Sequence, residues 1–212
     1  MIKQALGAIA LIGTMATANA SVLVSQDFNN VAALTSAGWV LNNASPNVGV
    51  AADWFQGVPS LMHAQAGATH QYIAAGYNNA SQGAINNWLI SPTFSVVSSG
   101  SISFWAKADA ADGFSDQLAF GMSNGSSALN AFTLNPVFTV PTGEWTRYVL
   151  NFAGMGSGVA RFGIQYSGSY EASNFVGVDS LLITTVPEPA TMFMFGAGLL
   201  GLMAARRRQI RR

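Results

Sequence analysis

Asp112 and Asp116 are spaced so that they could form an acid–base pair for glycoside hydrolysis, one carboxyl giving a proton while the other stays ionised. Gly113 and Ser115 between them suit a solvated turn equally well. His63 and His70 offer imidazoles for copper, zinc or general-base work, but they lie in a Gly- and Ala-rich stretch. The chain has no nucleophile elbow, H-E-x-x-H, P-loop or dinucleotide fingerprint to complete such chemistry. Cysteine is absent, which removes disulfides, thiolate metal ligands and a thiol nucleophile together. These residues predict a protein that is not an enzyme.

Binding chemistry is better supplied. Trp54, Tyr72, Tyr77 and Tyr170 have apolar ring faces that stack on sugars wherever the fold exposes them, so they are the candidate glycan-binding residues, with polysaccharide as the partner. Asp27 and Asp179, on the first and last expected strands, can meet with backbone carbonyls as oxygen ligands for a structural calcium ion; the alternative is two strand-end carboxylates without an ion.

A third kind of chemistry, peptide processing, is written at both ends. Lys3 opens a positive region, residues 5–17 are mostly apolar, and Ala18-Asn19-Ala20 is a small-x-small site, so residues 1–20 read as a secretory signal peptide that signal peptidase cleaves before Ser21. At the other end, Pro187-Glu188-Pro189 precedes an uncharged apolar run, residues 190–205, and then Arg206, Arg207 and Arg208 begin a basic terminus. The prolines bar helix and sheet pairing around Glu188, because neither has a backbone N–H and each restricts its predecessor. The apolar run is slightly shorter than the roughly 20 residues of a comfortable transmembrane helix, but Thr191 and Arg206 can sit at the interfaces. The arginines would hold that end in the cytoplasm and leave Glu188 outside.

This order of Pro-Glu-Pro box, short apolar helix and arginine cluster resembles the PEP-CTERM sorting signal of exported bacterial proteins, over residues 186–212. The resemblance implies processing near the box by a membrane-embedded exosortase. It also implies transit through the inner membrane and delivery to the cell surface or extracellular matrix.

The elements between the ends are short and mostly period-2. Strands are expected at 21–28, from Trp39, at 71–77, through Asn87-Trp88-Leu89-Ile90-Ser91-Pro92, and at 101–107, 116–123, 132–140, 144–152, 159–167 and 175–184, with Gly- and Asn-rich turns between them. Residues 42–67 lack a sustained period and read as long loops around short strands. Many short strands and no convincing amphipathic helix predict an all-β, antiparallel sandwich.

Phe28, Trp39, the Asn87 to Pro92 box, Phe104-Trp105-Ala106, the strand from Asp116, Trp145 and Val178-Asp179-Ser180-Leu181 together resemble the choice-of-anchor J domain, which is related to cleaved-adhesin domains. That resemblance implies a jelly roll over residues 21–185, an adhesion or structural role, and a calcium site of the kind such domains carry. It departs at 42–67, where the chain keeps no family pattern.

Charge narrows the partners further. The whole chain is formally neutral, but residues 21–187 keep only Lys107, Arg147 and Arg161 against eight carboxylates, a net charge of −5. An acidic domain of this kind argues against nucleic acid as a partner.

Overall fold

Alternation of apolar with small or polar residues yields thirteen strands in the computed structural model, which describes residues 20–51 and 53–186 together with the single positions Gly198 and Arg206. They are β1 (Val22–Gln26), β2 (Val40–Asn43), β3 (Phe55–Gln56), β4 (Ile73–Gly76), β5 (Ala84–Ile90), β6 (Phe94–Ser95), β7 (Gly100–Ala108), β8 (Gln117–Ser123), β9 (Thr133–Leu134), β10 (Phe138–Thr139), β11 (Thr146–Phe152), β12 (Val159–Ser169) and β13 (Phe175–Thr185). Helical structure within residues 20–186 is confined to short 3-10 turns. The protein is an all-β sandwich of two antiparallel sheets. One runs β11-β7-β13-β4-β3 with β1 also on β13; the other runs β10-β8-β12-β5-β2 with β6 on β12 and β9 on β8.

β13 is the spine of the first sheet. β7 pairs along one edge, and the other edge is divided between β4, opposite Phe175 to Val178, and β1, opposite Leu181 to Thr184. Where one partner gives way to the other, the register against β7 slips between Asp179 and Leu182, and Ser180 takes a left-handed φ of 50°. Such a bulge inserts one extra residue and reverses the alternation of faces. The buried positions accordingly change from Val176 and Val178 to Leu181 and Ile183.

These side chains and Ile102, Phe104 and Ala106 of β7 pack in one core with Leu118 and Phe120 of β8 and with Phe162, Ile164 and Tyr166 of β12. Phe104 meets Phe120 edge-on at 5.1 Å, the geometry that the ring quadrupoles favour. A smaller cluster covers part of the first sheet's outer face, where Met62, Tyr72, Ala74 and Phe175 pack with Trp145 and Val58. Gly177 makes room for it, since a Cβ there would lie 2.9 Å from the Trp145 ring and 3.0 Å from both Met62 and Tyr72.

One expectation about a strand changes. The single strand at 132–140 is two short ones, β9 and β10, parted at Asn135-Pro136, because proline cannot donate to the ladder. In β5, Trp88 and Ile90 share a face, while Ile85 and Leu89 are the β5 residues in the main core. Trp88 instead meets Phe132 at 5.4 Å, and that ring also crowds Gly163.

Among the described residues no helix is long and apolar enough to cross a membrane. The expected signal peptide and C-terminal transmembrane helix lie outside the described residues, apart from Ala20, Gly198 and Arg206.

Candidate ligand cleft and sorting segment

Three connections come together around Tyr77: the β4–β5 segment that it begins, the β7–β8 loop after Ala108, and the β12–β13 loop from Tyr170 to Asn174. Backbone bonds lock them, with Tyr77 N–H donating to Asn174 O at 2.8 Å, Tyr170 N–H to Gly83 O at 2.7 Å, and Ser115 N–H to Ala172 O at 2.8 Å. Asp116 anchors the group from below. It is 1% exposed, and its carboxylate accepts the Tyr166 hydroxyl at 2.6 Å, Asn174 N–H at 3.0 Å and Phe175 N–H at 3.2 Å.

Burial raises the Asp116 carboxyl above its usual range against the pull of these three donors, and Asp109 adds like charge. Burial likewise raises Asp179, although backbone amides favour its ionised form. A raised value means that the native state holds the proton more tightly than the unfolded chain. The resulting stability is fully present below about 3.8 and is lost as pH rises through the raised values. The melting temperature should therefore rise as pH falls from neutrality toward about 3.8. A combined Asp116→Asn and Asp179→Asn variant should flatten that slope; an unchanged slope would assign it to other groups.

Above Asp116 lies a cleft of about 420 Å³ lined by Tyr77, Phe114, Tyr170, Glu171 and Asn174. Tyr77 and Tyr170 stand edge to face with centroids 5.4 Å apart, and Tyr77 and Phe114 are 42% and 45% exposed. Asn174 Nδ2 donates to Asp109 Oδ2 at 2.8 Å, which fixes the amide. Ser169 Oγ donates to the Glu171 carboxylate and lowers its pKa, so Glu171 stays ionised. A second cleft of about 240 Å³ shares Tyr77 and Asn174 and continues past Phe55 and Leu61. Apolar ring walls with one carboxylate and one amide suit a ligand that has both an apolar face and hydroxyl groups.

The structure thus brings Tyr77 and Tyr170 together and removes the other two glycan candidates. Trp54 is 3% exposed and packs edge-on to Tyr166 at 6.5 Å. Tyr72 is 0% exposed. Its hydroxyl accepts Val58 N–H at 2.9 Å and donates to Val58 O at 3.0 Å, and burial pushes its pKa up to about 12. Tyr72 serves the small outer cluster, not a ligand. Phe114, Glu171 and Asn174 carry no motif that marks them in the sequence; the one signal is that Phe114 is an aromatic residue in an otherwise polar loop.

The calcium pair does not fit a cation. Asp179 is buried, and its oxygens accept Gln65 N–H at 2.9 Å, Ala66 N–H at 3.2 Å and Ser180 N–H, so donor hydrogens occupy the positions a cation would need. Asp27 is exposed and accepts Asn29 Nδ2 at 2.6 Å. Among the described residues no group of three or more His, Cys, Asp or Glu could hold a metal. His63 and His70 are exposed, and of the two candidate acids Asp112 is exposed whereas Asp116 is buried.

Of the processing residues, Ala20, Ser21 and Arg206 are described; Ala18, Pro187, Glu188, Pro189, Arg207 and Arg208 lie outside the described residues. Ser21 N–H donates to Thr185 Oγ1 at 3.0 Å, and Thr185 N–H donates to Ser21 O at 2.9 Å. The two ends of the sandwich are zipped to each other.

No curated protein sequence matches the chain. Among solved structures, the K1 cleaved adhesin domain of Lys-gingipain from Porphyromonas gingivalis W83 is similar at 16% identity and a TM-score of 0.58, covering 78% of this chain and 99% of that one. The K3 cleaved adhesin domain of the same protein is similar at 14% identity and a TM-score of 0.55, covering 79% and 100%. At these identities the likeness is one of fold. Residues 185–208 match the PEP-CTERM protein-sorting motif, so the chain joins a sandwich of the cleaved-adhesin fold to a tail that implies recognition by an exosortase and export.

Proposed function

We propose that this is an exported surface or matrix protein whose sandwich, a choice-of-anchor J-like jelly roll, is non-catalytic and serves adhesion or matrix structure. Signal peptidase frees Ser21, the tail holds the chain in the inner membrane in transit, and an exosortase-type enzyme removes the tail near Glu188. The observation that supports this reading is where the sandwich begins and ends relative to the two expected cuts. β13 ends at Thr185, where the sorting motif begins, and Thr185 is bonded to Ser21. Processing at those points spares every strand and every core contact. Mass spectrometry of the protein from its native host should find Ser21 at one end and a C-terminus close to the Pro-Glu-Pro box; a product that keeps Arg206 to Arg212 would overturn the reading.

A lectin-like role is the second reading, and the paired rings of Tyr77 and Tyr170 favour it. Stacking on two rings beside Glu171 and Asn174 suits a neutral sugar. Tyr77→Ala or Tyr170→Ala should each lower binding about tenfold on a glycan array, with no loss of melting temperature beyond a few degrees. A flat array with the wild-type protein would leave the structural role.

A further inference from the structure

Charge in the sandwich is sorted by element. Its three cations all lie on strands, while every carboxylate except Asp179 lies in a connection. Arg161 is fully engaged, donating to the carbonyls of Gly125, Gly38 and Ser91. The other two cations, Lys107 on β7 and Arg147 on β11, come together on the outer face of the first sheet, beside the part covered by the small cluster.

The register makes a defined block there. Arg147 pairs directly with Trp105, and one more step in the same register sets Trp145 opposite Lys107. Each cation therefore stands about 5 Å from a tryptophan across the strands and about 7 Å from one along its own strand. Arg147 is exposed and donates to Ser103 Oγ at 3.1 Å; Lys107 and both tryptophans are half-buried. The Trp145 ring is fixed by its Nε1–H bond to His63 O at 3.0 Å and by an edge contact with Tyr72. Beside it opens a cleft of about 460 Å³ bounded by Lys107, Trp145, His63 and Glu144. Glu144 is the carboxylate at this rim, and Asp179, in register with Trp105, is enclosed by the amides of Gln65 and Ala66.

We infer that this block is a binding surface for an anionic polysaccharide, separate from the tyrosine cleft. Indole faces stack on the C–H faces of sugar rings, while the ammonium and guanidinium pair with carboxylate or sulfate groups on the same chain. Charge complementarity picks the occupant: in a domain of net charge −5, the two cations not taken up by backbone carbonyls stand together, each opposite a tryptophan across the strand pair. A neutral glycan would not use the cations, and an acidic peptide would not use the planes.

The test is affinity electrophoresis of the unit Ala20–Val186, which contains all thirteen strands and both cores, at low salt in gels holding polygalacturonate, dextran sulfate, neutral dextran or polyglutamate. Retardation by either acidic polysaccharide and not by neutral dextran is expected, weakening as salt rises. A combined Lys107→Gln and Arg147→Gln variant should lose at least tenfold in affinity with an unchanged melting temperature, and Trp105→Phe should bind more weakly than wild type. Tyr77→Ala should bind acidic polymer normally, which separates this surface from the cleft of the lectin-like reading. A preference between polygalacturonate and dextran sulfate identifies the anionic group. Absence of retardation, equal retardation by polyglutamate, or undiminished binding by the double variant would overturn the inference.

Discussion

Replacing Pro187, Glu188 and Pro189 together with alanine should abolish C-terminal maturation, leaving the full-length precursor in the membrane fraction and lowering the processed form at least tenfold. The argument rests on the backbone. Proline has no N–H to donate and restricts the residue before it, so the box disfavours both strand pairing and helix, and an extended peptide is the form expected to meet the enzyme. Three alanines reverse that preference, because alanine is the best helix former and the apolar run begins at the next residue. The sandwich should be unaffected, since β13 ends at Thr185. Glu188→Gln keeps both prolines and removes only the charge, so it separates recognition of shape from recognition of the carboxylate. Cell fractionation with a blot against the sandwich, followed by intact mass, reads all three proteins. A triple-alanine protein of mature mass, released as efficiently as wild type, would remove the processing step from the proposal.

The sequence carried the sandwich because its strands alternate strongly and its turns contain Gly and Asn. Even the bulge in β13 is written there: apolar positions run Val176, Val178, then Leu181, Ile183, a break in phase that a regular strand would not have. Other features were not legible because they depend on contacts distant in the chain. Residues 57–67 have no period, yet Met62 among them covers the first sheet together with Tyr72, since what holds both down is flat space at Gly177, more than one hundred residues later. The burial of Trp54 and Tyr72 has the same cause: neither the irregular stretch around Trp54 nor the short strand expected at 71–77 shows which surface its aromatic ring meets. Tyr77 and Tyr170 are two of four ring residues expected at a glycan site, and the closure of two loops by Asn174 and Gly83 makes these two one wall. Asp179 is a calcium candidate in the sequence because it and Asp27 fall on the last and first expected strands; its partners are instead amides of a loop more than one hundred residues earlier.

Asp116→Ala should be the most damaging single substitution around the cleft, costing about 3–5 kcal/mol and lowering the melting temperature by about 10 °C. Alanine strands three donors in a buried place: the Tyr166 hydroxyl, which lies within the main core, and the N–H groups of Asn174 and Phe175. A buried donor without an acceptor loses its water and gains nothing in return, which makes the loss larger than the value of the bonds themselves. Tyr166→Phe removes one of those donors and leaves the carboxylate its two N–H partners, so it should cost only about 1–2 kcal/mol. Denaturant unfolding of both variants gives the comparison directly. The functional consequence follows from the same geometry. Asp116 holds the C-terminal end of the loop that carries Tyr170 and Glu171, so any sugar affinity measured at the cleft should fall in Asp116→Ala well below the melting range, by at least as much as in Tyr170→Ala. Equal stability losses in the two variants, or a cleft that binds normally without the carboxylate, would show that the loop is held by its backbone bonds to Gly83 and Tyr77 and that Asp116 is dispensable for the site.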